Sequence, residues 1–171
     1  RMINIQKWLA IVVTNQSGIG RGFYTIEVMH RLHAKMTAEL NAQGAHVDGI
    51  YYCPHDPSSK IEEYRKDCDC RKPKTGMLEQ AIRDLALKGI AVDTSRMAII
   101  GDKYSDMQAG FAMNGDNVSL NPQGINNCRT VMVNTGYGKG DLATKSQNWP
   151  RQPDYRAENL LEAVKILLKE L

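Results

Sequence analysis

The segment Leu9-Ala10-Ile11-Val12-Val13-Thr14-Asn15-Gln16-Ser17-Gly18-Ile19-Gly20-Arg21-Gly22 decides the fold class of this chain. It begins with an apolar run, rich in β-branched side chains, that is typical of a strand buried on both faces in a parallel sheet. The glycines and small polar residues that follow predict a loop at the carboxyl end of that strand, the edge where α/β proteins bind ligands. Thr14 and the loop amides can bind phosphate oxygens there, although an ordinary turn has the same pattern.

The rest of the chain alternates between strand and helix patterns. Short apolar runs predict strands over 48–52, 97–100 and 129–133. Helical spacing predicts helices over 25–43, 74–88 and 157–171, and a fourth that ends near Asn114. The polar segments 114–127 and 141–153 predict a loop and an extended surface connection. This alternation predicts one α/β domain over residues 1–171, with an open, mainly parallel sheet and flanking helices.

Composition excludes several classes of protein. The chain has 171 residues, of which 42% are hydrophobic and 24% charged, as expected for a folded domain. The net charge of +3 is small and its basic residues are scattered, which argues against a nucleic-acid partner. No run of about 18 apolar residues is present, so we expect no membrane partner. Four cysteines without a signal-peptide pattern indicate a reducing compartment, where clustered thiols more often bind metal than form disulfides.

Cysteine and histidine cluster in two short motifs, Cys53-Pro54-His55 and Cys68-Asp69-Cys70-Arg71-Lys72-Pro73. Thiolates and imidazole are the ligands that zinc prefers, and four protein ligands leave no open position. We therefore predict that Cys53, His55, Cys68 and Cys70 hold a structural Zn²⁺ that orders a loop over about 51–73. Free thiols or a disulfide are the alternatives, although a bridge between Cys68 and Cys70 would be strained.

Three further charged residues predict a phosphate site. Arg71 and Lys72 offer a bidentate guanidinium and a compact ammonium beside the ordered loop, although adjacent basic residues are often only solvated. Asp102, at the carboxyl end of a predicted strand, can bind Mg²⁺ through oxygen. The alternative is that Asp102 or Ser105 only caps the next helix.

Together these motifs resemble the haloacid dehalogenase (HAD) superfamily of aspartyl phosphatases. The likeness is greatest to the D-glycero-D-manno-heptose 1,7-bisphosphate phosphatases. The matching segments, in the order of the family, are 13–22, 51–55, 68–73 with 76–78, and 101–103 with 106–109. They span well over half of the chain, and agreement of four separated motifs is specific.

The resemblance implies a fold, a reaction and a set of roles. The fold is a HAD-like Rossmannoid sheet, and the reaction is hydrolysis of the C7 phosphate of a small sugar bisphosphate through an aspartyl-phosphate. Thr14 and Lys72 would stabilise the transferring phosphoryl group. The implied substrate-binding residues are Thr14, Asn15, Gln16, Ser17, Arg71, Lys72 and Lys103. Asp102 would hold Mg²⁺ with Lys103 adjoining it, and the cysteine and histidine cluster would hold the zinc.

One departure from the family concerns the nucleophile. The family carries its nucleophile and its general acid/base in an Asp-x-Asp-Gly-Thr motif on the first strand, whereas none of the thirteen residues before Thr14 is aspartate. The Asp67-Cys68-Asp69 segment follows no apolar strand and is not that element. We therefore expect an incomplete phosphatase domain that lacks the first strand and is inactive by itself. A degenerate, non-catalytic, zinc-stabilised anion-binding relative is the alternative.

Other phosphatases share parts of the pattern. Histidinol-phosphate phosphatases also carry a zinc loop with a Cys-Arg-Lys-Pro segment, and polynucleotide 3′-phosphatases share a segment like 14–22. The cysteine motifs argue against the polynucleotide enzymes, and residues 18–22 favour the heptose enzymes over the histidinol ones. A second departure, the polar segment 117–127, looks like an insertion. The implied pathway, nucleotide-activated heptose synthesis for bacterial surface glycans such as lipopolysaccharide, leads us to expect a cytoplasmic protein. We separately expect a monomer.

Overall fold

The computed structural model describes residues 1–115 and 127–170 of the chain. It confirms the α/β class, because every strand pairing that it contains is parallel and helices connect the strands. The chain divides into two compact units, Arg1–Arg71 with Gly76–Leu87, and Lys72–Thr75 with Lys88–Leu171. The membership of both units in one phosphatase domain stays a prediction. None of the helices in the described ranges is long and apolar enough to span a bilayer.

The first unit is built on two parallel strands. Its elements are α1 (Met2–Ile5), β1 (Ile11–Asn15), α2 (Ile26–Ala42), β2 (Gly49–Cys53) and α3 (Gly76–Leu87). The register places Ile11 opposite Gly49 and Asn15 opposite Cys53. β1 begins two residues later than the apolar run predicts, and its residues are only partly buried, not enclosed on both faces as expected. Within the described residues β1 has one strand neighbour, which leaves its other edge uncovered by the sheet.

The long helix α2 forms as its sequence predicts. Thr25 is the N-cap, and its hydroxyl accepts a hydrogen bond from the amide of Val28 at 3.4 Å. Met29, an apolar residue of this helix, is 1% exposed. The helix ends before Gly44, which adopts a φ of +66° that other residues rarely adopt. Local signals therefore define both ends of this helix.

The second unit contains a three-stranded parallel sheet in the order β3-β4-β5. Its elements are β3 (Ala98–Gly101), α4 (Tyr104–Met113), β4 (Arg129–Val133), α5 (Gly138–Thr144), β5 (Tyr155–Ala157) and α6 (Leu160–Glu170). The middle strand β4 is the most buried, as expected for a central parallel strand. A core cluster joins it to β5 and α6 and consists of Val131, Val133, Ala157, Ala163 and Leu167.

The prediction of an extended connection over 141–153 was wrong. That region contains most of α5 and a 3₁₀ turn at Ser146–Asn148, and the short strand β5 follows it. The helix has only seven residues, two of them glycine, which is too short to give a periodic pattern. The final helix starts at Leu160, because Ala157 belongs to β5. The loop predicted over 114–127 and the proposed insertion at 117–127 lie almost entirely outside the described residues.

Candidate functional site

The two cysteine motifs meet in one cluster within the first unit. The sulfur atoms of Cys53, Cys68 and Cys70 lie 3.1–3.4 Å from one another. His55 Nδ1 lies 3.3 Å from Cys70 Sγ and 3.7 Å from Cys53 Sγ. All four ligand atoms lie within 4.8 Å of one another. Ligands of a tetrahedral zinc, with Zn–S bonds of ~2.3 Å, are separated by about 3.8 Å, so the cluster has the size and chemistry to hold such an ion.

The ionisation of these side chains also fits a bound cation. Burial raises the pKa of Cys53 and of Cys70. The hydrogen bonds of Cys53 with Cys70 and Cys68 raise its pKa further, whereas the pKa of Cys70 is raised by its bond with Cys68 and lowered by its bond with Cys53. Burial also opposes ionisation of Cys68, but hydrogen bonds from Cys70, Cys53 and nearby backbone amides leave its pKa lowered. Burial lowers the pKa of His55, which keeps the imidazole neutral and able to ligate. A thiolate set in this environment needs a cation to compensate its charge.

The segment between the outer ligands, residues 53–70, is called the metal loop below. It starts at the carboxyl end of β2, where the carbonyl of Cys53 accepts a hydrogen bond of 2.7 Å from the amide of Gln16. The buried Ser59 donates to the carbonyl of Gly20 at 2.5 Å. Of residues 54–70, only Ser59 is buried. The loop therefore depends on polar contacts and on its ligand cluster, with little apolar packing.

Arg71 directly follows the last ligand and turns back onto the first ligand pair. Its Nη1 donates to the carbonyl of His55 at 2.9 Å, and its Nη2 lies 3.2 Å from Asp56 Oδ2. The two side chains are 28% and 15% exposed. Sequence reasoning predicted that Arg71 recognises substrate and missed Asp56, because nothing in the spacing pairs residues 56 and 71.

The loop after β1 is ordered by its own side chains. Gln16 Nε2 donates to the hydroxyl of Thr14 at 3.4 Å, and Tyr24 donates to Gln16 Oε1. Ile19 is 2% exposed and anchors the middle of the loop. Thr14 and the predicted substrate residues 15–17 thus lie at the carboxyl end of β1, as the sequence indicates.

Lys72 forms a buried ion pair within the second unit. Its Nζ lies 2.7 Å from Asp106 Oδ1, and the side chains are 10% and 8% exposed. Oδ2 of Asp106 accepts a hydrogen bond of 3.0 Å from the amide of Lys103, which fixes the start of α4. The role of Asp106 was not predicted, although Asp106 is the acidic residue in the first turn of a predicted helix, which is a detectable capping signal.

Asp102 follows β3 and contacts the turn that follows β4. Its Oδ2 accepts a hydrogen bond of 2.9 Å from the amide of Tyr137. Gly136 has a φ of +61°, and a Cβ atom there would overlap the Asp102 carboxylate. Lys103 Nζ lies 4.1 Å from the centre of the Tyr137 ring. Asp102 is not the cap of α4, since Lys103 occupies that position, so its carboxylate is oriented by another turn.

Similarity to known proteins identifies the family of this chain. The chain is 36% identical over 160 residues to the D-glycero-beta-D-manno-heptose-1,7-bisphosphate 7-phosphatase of Pasteurella multocida. The aligned region covers 94% of this chain and 74% of that protein. The chain belongs to the heptose-1,7-bisphosphate 7-phosphatase family. The enzyme of the same name from Haemophilus influenzae is 41% identical over 133 residues, which are 78% of this chain but 65% of that protein. The chain therefore spans less than two thirds of this relative.

Family profiles and solved structures agree with that membership. The HAD-hydrolase-like family profile matches residues 69–120. The crystal structure of D,D-heptose 1,7-bisphosphate phosphatase from B. bronchiseptica, complexed with magnesium and phosphate, superposes with a TM-score of 0.74 at 28% identity. The match covers 99% of this chain and 79% of that one. The HAD-like phosphatase fold expected from the motifs is thus confirmed.

The predicted site residues fall into two groups. In the first unit, the four metal ligands lie together and Arg71 binds to their loop, while Thr14 and its neighbours end β1. In the second unit, Lys72, Asp102 and Lys103 lie at or near the start of α4, with Asp106 between the two lysines. A phosphate pocket made by both groups stays a prediction.

Proposed function

We propose that the protein hydrolyses the C7 phosphate of D-glycero-D-manno-heptose 1,7-bisphosphate and leaves the phosphate at C1 in place. The observation that carries this proposal is the 36% identity to the Pasteurella multocida phosphatase over 94% of the chain. The four family motifs lie within this match, which supports the proposal. The proposed partner is therefore a small sugar bisphosphate, with no role for nucleic acid or membrane.

The proposed roles follow from the chemistry of each group. Lys72 neutralises charge on the phosphoryl oxygens, and the Thr14 hydroxyl donates a hydrogen bond to them. The substrate-binding residues are Asn15, Gln16, Ser17, Arg71 and Lys103. Asp102, with Lys103 beside it, is proposed to hold Mg²⁺, which when bound polarises the phosphoryl group as a Lewis acid. The crystal structure of the B. bronchiseptica phosphatase, which contains magnesium, supports Mg²⁺ as the cofactor.

The cysteine and histidine cluster is proposed to hold a structural Zn²⁺. Three thiols and one imidazole within 4.8 Å of one another support it, because that donor set prefers zinc to magnesium. We further propose a cytoplasmic monomer, to be checked by light scattering on the purified protein and by fractionation of the source cells.

The proposal is tested with the protein as its gene encodes it. The expected result is Mg²⁺-dependent release of one phosphate from the bisphosphate, and ³¹P NMR should show that the C1 phosphate remains. Asp102→Asn and Lys72→Gln should each lower the rate by about 100-fold or more, as expected for lost charge stabilisation. Lys35→Gln, which removes an exposed charge on α2, is the control and should leave the rate unchanged.

Two outcomes would overturn the proposed activity, and a third would reject the proposed zinc. Faster hydrolysis of histidinol phosphate would favour the related phosphatases. Binding of the bisphosphate without turnover would favour a non-catalytic anion-binding relative. Metal analysis that finds no zinc in well-folded protein would reject the structural zinc.

A further inference from the structure

The guanidinium of Arg71 connects the two halves of the metal loop. Arg71 follows Cys70 in the chain, yet both of its hydrogen bonds go to the half that carries Cys53 and His55. One reaches the His55 carbonyl at 2.9 Å and the other reaches Asp56 at 3.2 Å. The side chain therefore links the two ligand pairs without using a metal ligand atom.

The acceptor Asp56 is itself held in place. Its Oδ1 accepts hydrogen bonds from the amide of Ser58 at 2.9 Å and from the Ser58 hydroxyl at 2.6 Å. Its amide donates to the carbonyl of Tyr64 at 3.0 Å. Arg71 thus binds to a turn whose geometry is already fixed, and the pair is mostly shielded from water. Such a partner restricts the guanidinium more than an isolated surface carboxylate would.

The metal loop has few other means of holding its ligands together. Twelve residues, 56–67, separate the two ligand pairs. Closing a loop of this length costs conformational entropy, and almost no apolar burial within the loop offsets it. A contact that holds the ends together before the ion binds removes part of that cost from the binding free energy.

We propose that the Arg71–Asp56 pair is a positioning device for the metal site. By fixing the backbone of His55 relative to Cys70, it sets the ligand geometry in advance and raises the affinity for zinc. This role rests on the proposed zinc at the cluster and goes beyond the proposed contact between Arg71 and substrate. The pair acts through the ligands and touches no reacting atom.

The test measures metal affinity and requires no enzymatic activity. Zinc is titrated into the reduced protein in competition with a chromophoric chelator, for the wild type and for Arg71→Ala and Asp56→Asn. Arg71→Ala should weaken zinc binding by about 10- to 100-fold, the range typical of residues that orient metal ligands. The zinc affinity of the double variant Arg71→Ala/Asp56→Asn should lie within about 3-fold of that of Arg71→Ala, because the two residues act as one contact.

Whether zinc affinity rises or falls in Arg71→Ala distinguishes a positioning role from a purely electrostatic one. Removing the positive charge of Arg71 beside the site would by itself favour binding of the zinc cation. A tighter or unchanged affinity for zinc in Arg71→Ala would therefore overturn the proposal. Visible absorption of the Co²⁺-substituted protein gives a second readout. The absorption bands of tetrahedral Co²⁺ should broaden or lose intensity in Arg71→Ala but persist in the control variant Arg65→Ala.

Arg65→Ala is the matched control. Arg65 also binds backbone carbonyls of the metal loop, those of Ser59 and Lys60, but neither belongs to a ligand or its neighbour. Its removal should change zinc affinity by less than about 3-fold, and an equal loss in both variants would mean only general loosening of the loop. If Arg71→Ala does not fold, Asp56→Asn, which keeps the size of the side chain, carries the test. A wild-type protein that binds no zinc would reject the proposed zinc site, whereas normal binding by both variants would reject only this inference.

Discussion

The ammonium of Lys72 lies 2.7 Å from Oδ1 of Asp106, and about nine tenths of each side chain is shielded from solvent. This contact fixes a residue of the Cys-Arg-Lys-Pro motif to the first turn of α4. The same carboxylate holds the amide of Lys103. Asp106 therefore orients two lysines that are proposed to face the substrate, and the position of each depends on one buried charge.

Removing one partner of this pair should destabilise the protein strongly. Lys72→Met leaves the Asp106 carboxylate buried without its cation, at a cost of about 3–5 kcal/mol in the free energy of unfolding. The double variant Lys72→Met/Asp106→Asn removes both charges and keeps an acceptor for Lys103, so it should recover most of the loss. Urea unfolding followed by circular dichroism measures both. Lys35→Met, at a pair about 70% exposed, should cost less than about 1 kcal/mol. A Lys72→Met loss no larger than this control would contradict the buried-pair interpretation.

Gly136→Ala should disturb Asp102 from a distant position in the sequence. The glycine has a φ of +61°, and an added methyl group would overlap the Asp102 carboxylate. We expect a loss of about 1–3 kcal/mol in stability from the strained backbone and a clear loss of Mg²⁺ affinity. Isothermal titration with Mg²⁺ and thermal unfolding measure the two effects. Gly140→Ala, in α5 where an added methyl group meets nothing within 4 Å, should leave both unchanged or raise the stability slightly. Unaltered Mg²⁺ binding in Gly136→Ala would show that this turn does not orient Asp102 for the metal.

Removal of the proposed zinc should expose three of the four cysteines. The thiols of Cys53, Cys68 and Cys70 lie in the cluster, whereas Cys128 is 1% exposed beside β4. In the metal-loaded protein all four should resist alkylation. After chelation the metal loop loses its main constraint, and the three clustered thiols should react while Cys128 stays protected until the protein is denatured. Iodoacetamide labelling with peptide mass spectrometry assigns each site. Equal labelling of Cys128 and the cluster in native protein would show that the second unit also opens.

Local sequence signals predicted much of the fold, because the information lies within each element. The apolar runs that end at Ile100 and Val133 form strands. The helix α2 begins after the N-cap Thr25 and ends before Gly44. The elements that were missed carry weak local signals. α5 has two glycines in seven residues, and β5 has only three residues, held by pairing with β4. Tertiary context, which a linear pattern does not contain, stabilises both.

In the candidate site, too, local features were predictable and long-range contacts were not. The clustering of four possible metal ligands was predictable, because Cys53-x-His55 and Cys68-x-Cys70 are local patterns with a known chemistry. The partners of those residues were not, since contacts such as Arg71–Asp56 join positions fifteen residues apart with no periodic relation. The hydrogen bond from the Tyr137 amide to Asp102 joins positions even farther apart. Such contacts depend on how loops return across the sheet edge, which the types of residue alone do not determine.

Cys128 should make the stability of the protein fall at high pH. Burial raises the pKa of its thiol from an ordinary value near 9 to about 12, so the folded state holds the proton more tightly than the unfolded state. The contribution is complete below the unfolded pKa and is lost as the pH rises towards the folded one. Cys128→Ala lacks this titration. The stability advantage of the wild type over Cys128→Ala should therefore be constant up to pH ~8 and then fall by up to ~1.4 kcal/mol per pH unit above pH ~9.

Urea unfolding of both proteins between pH 7 and about pH 10.5 measures this difference. The comparison cancels the titration of the tyrosines, lysines and clustered cysteines, which both proteins share. Cys68→Ala in the metal-free state is the control: because the pKa of Cys68 is lowered, the stability advantage of the wild type over Cys68→Ala should not fall at alkaline pH. A difference between wild type and Cys128→Ala that is independent of pH up to about 10.5 would mean that this thiol titrates normally and that the environment of β4 is more open than its burial indicates.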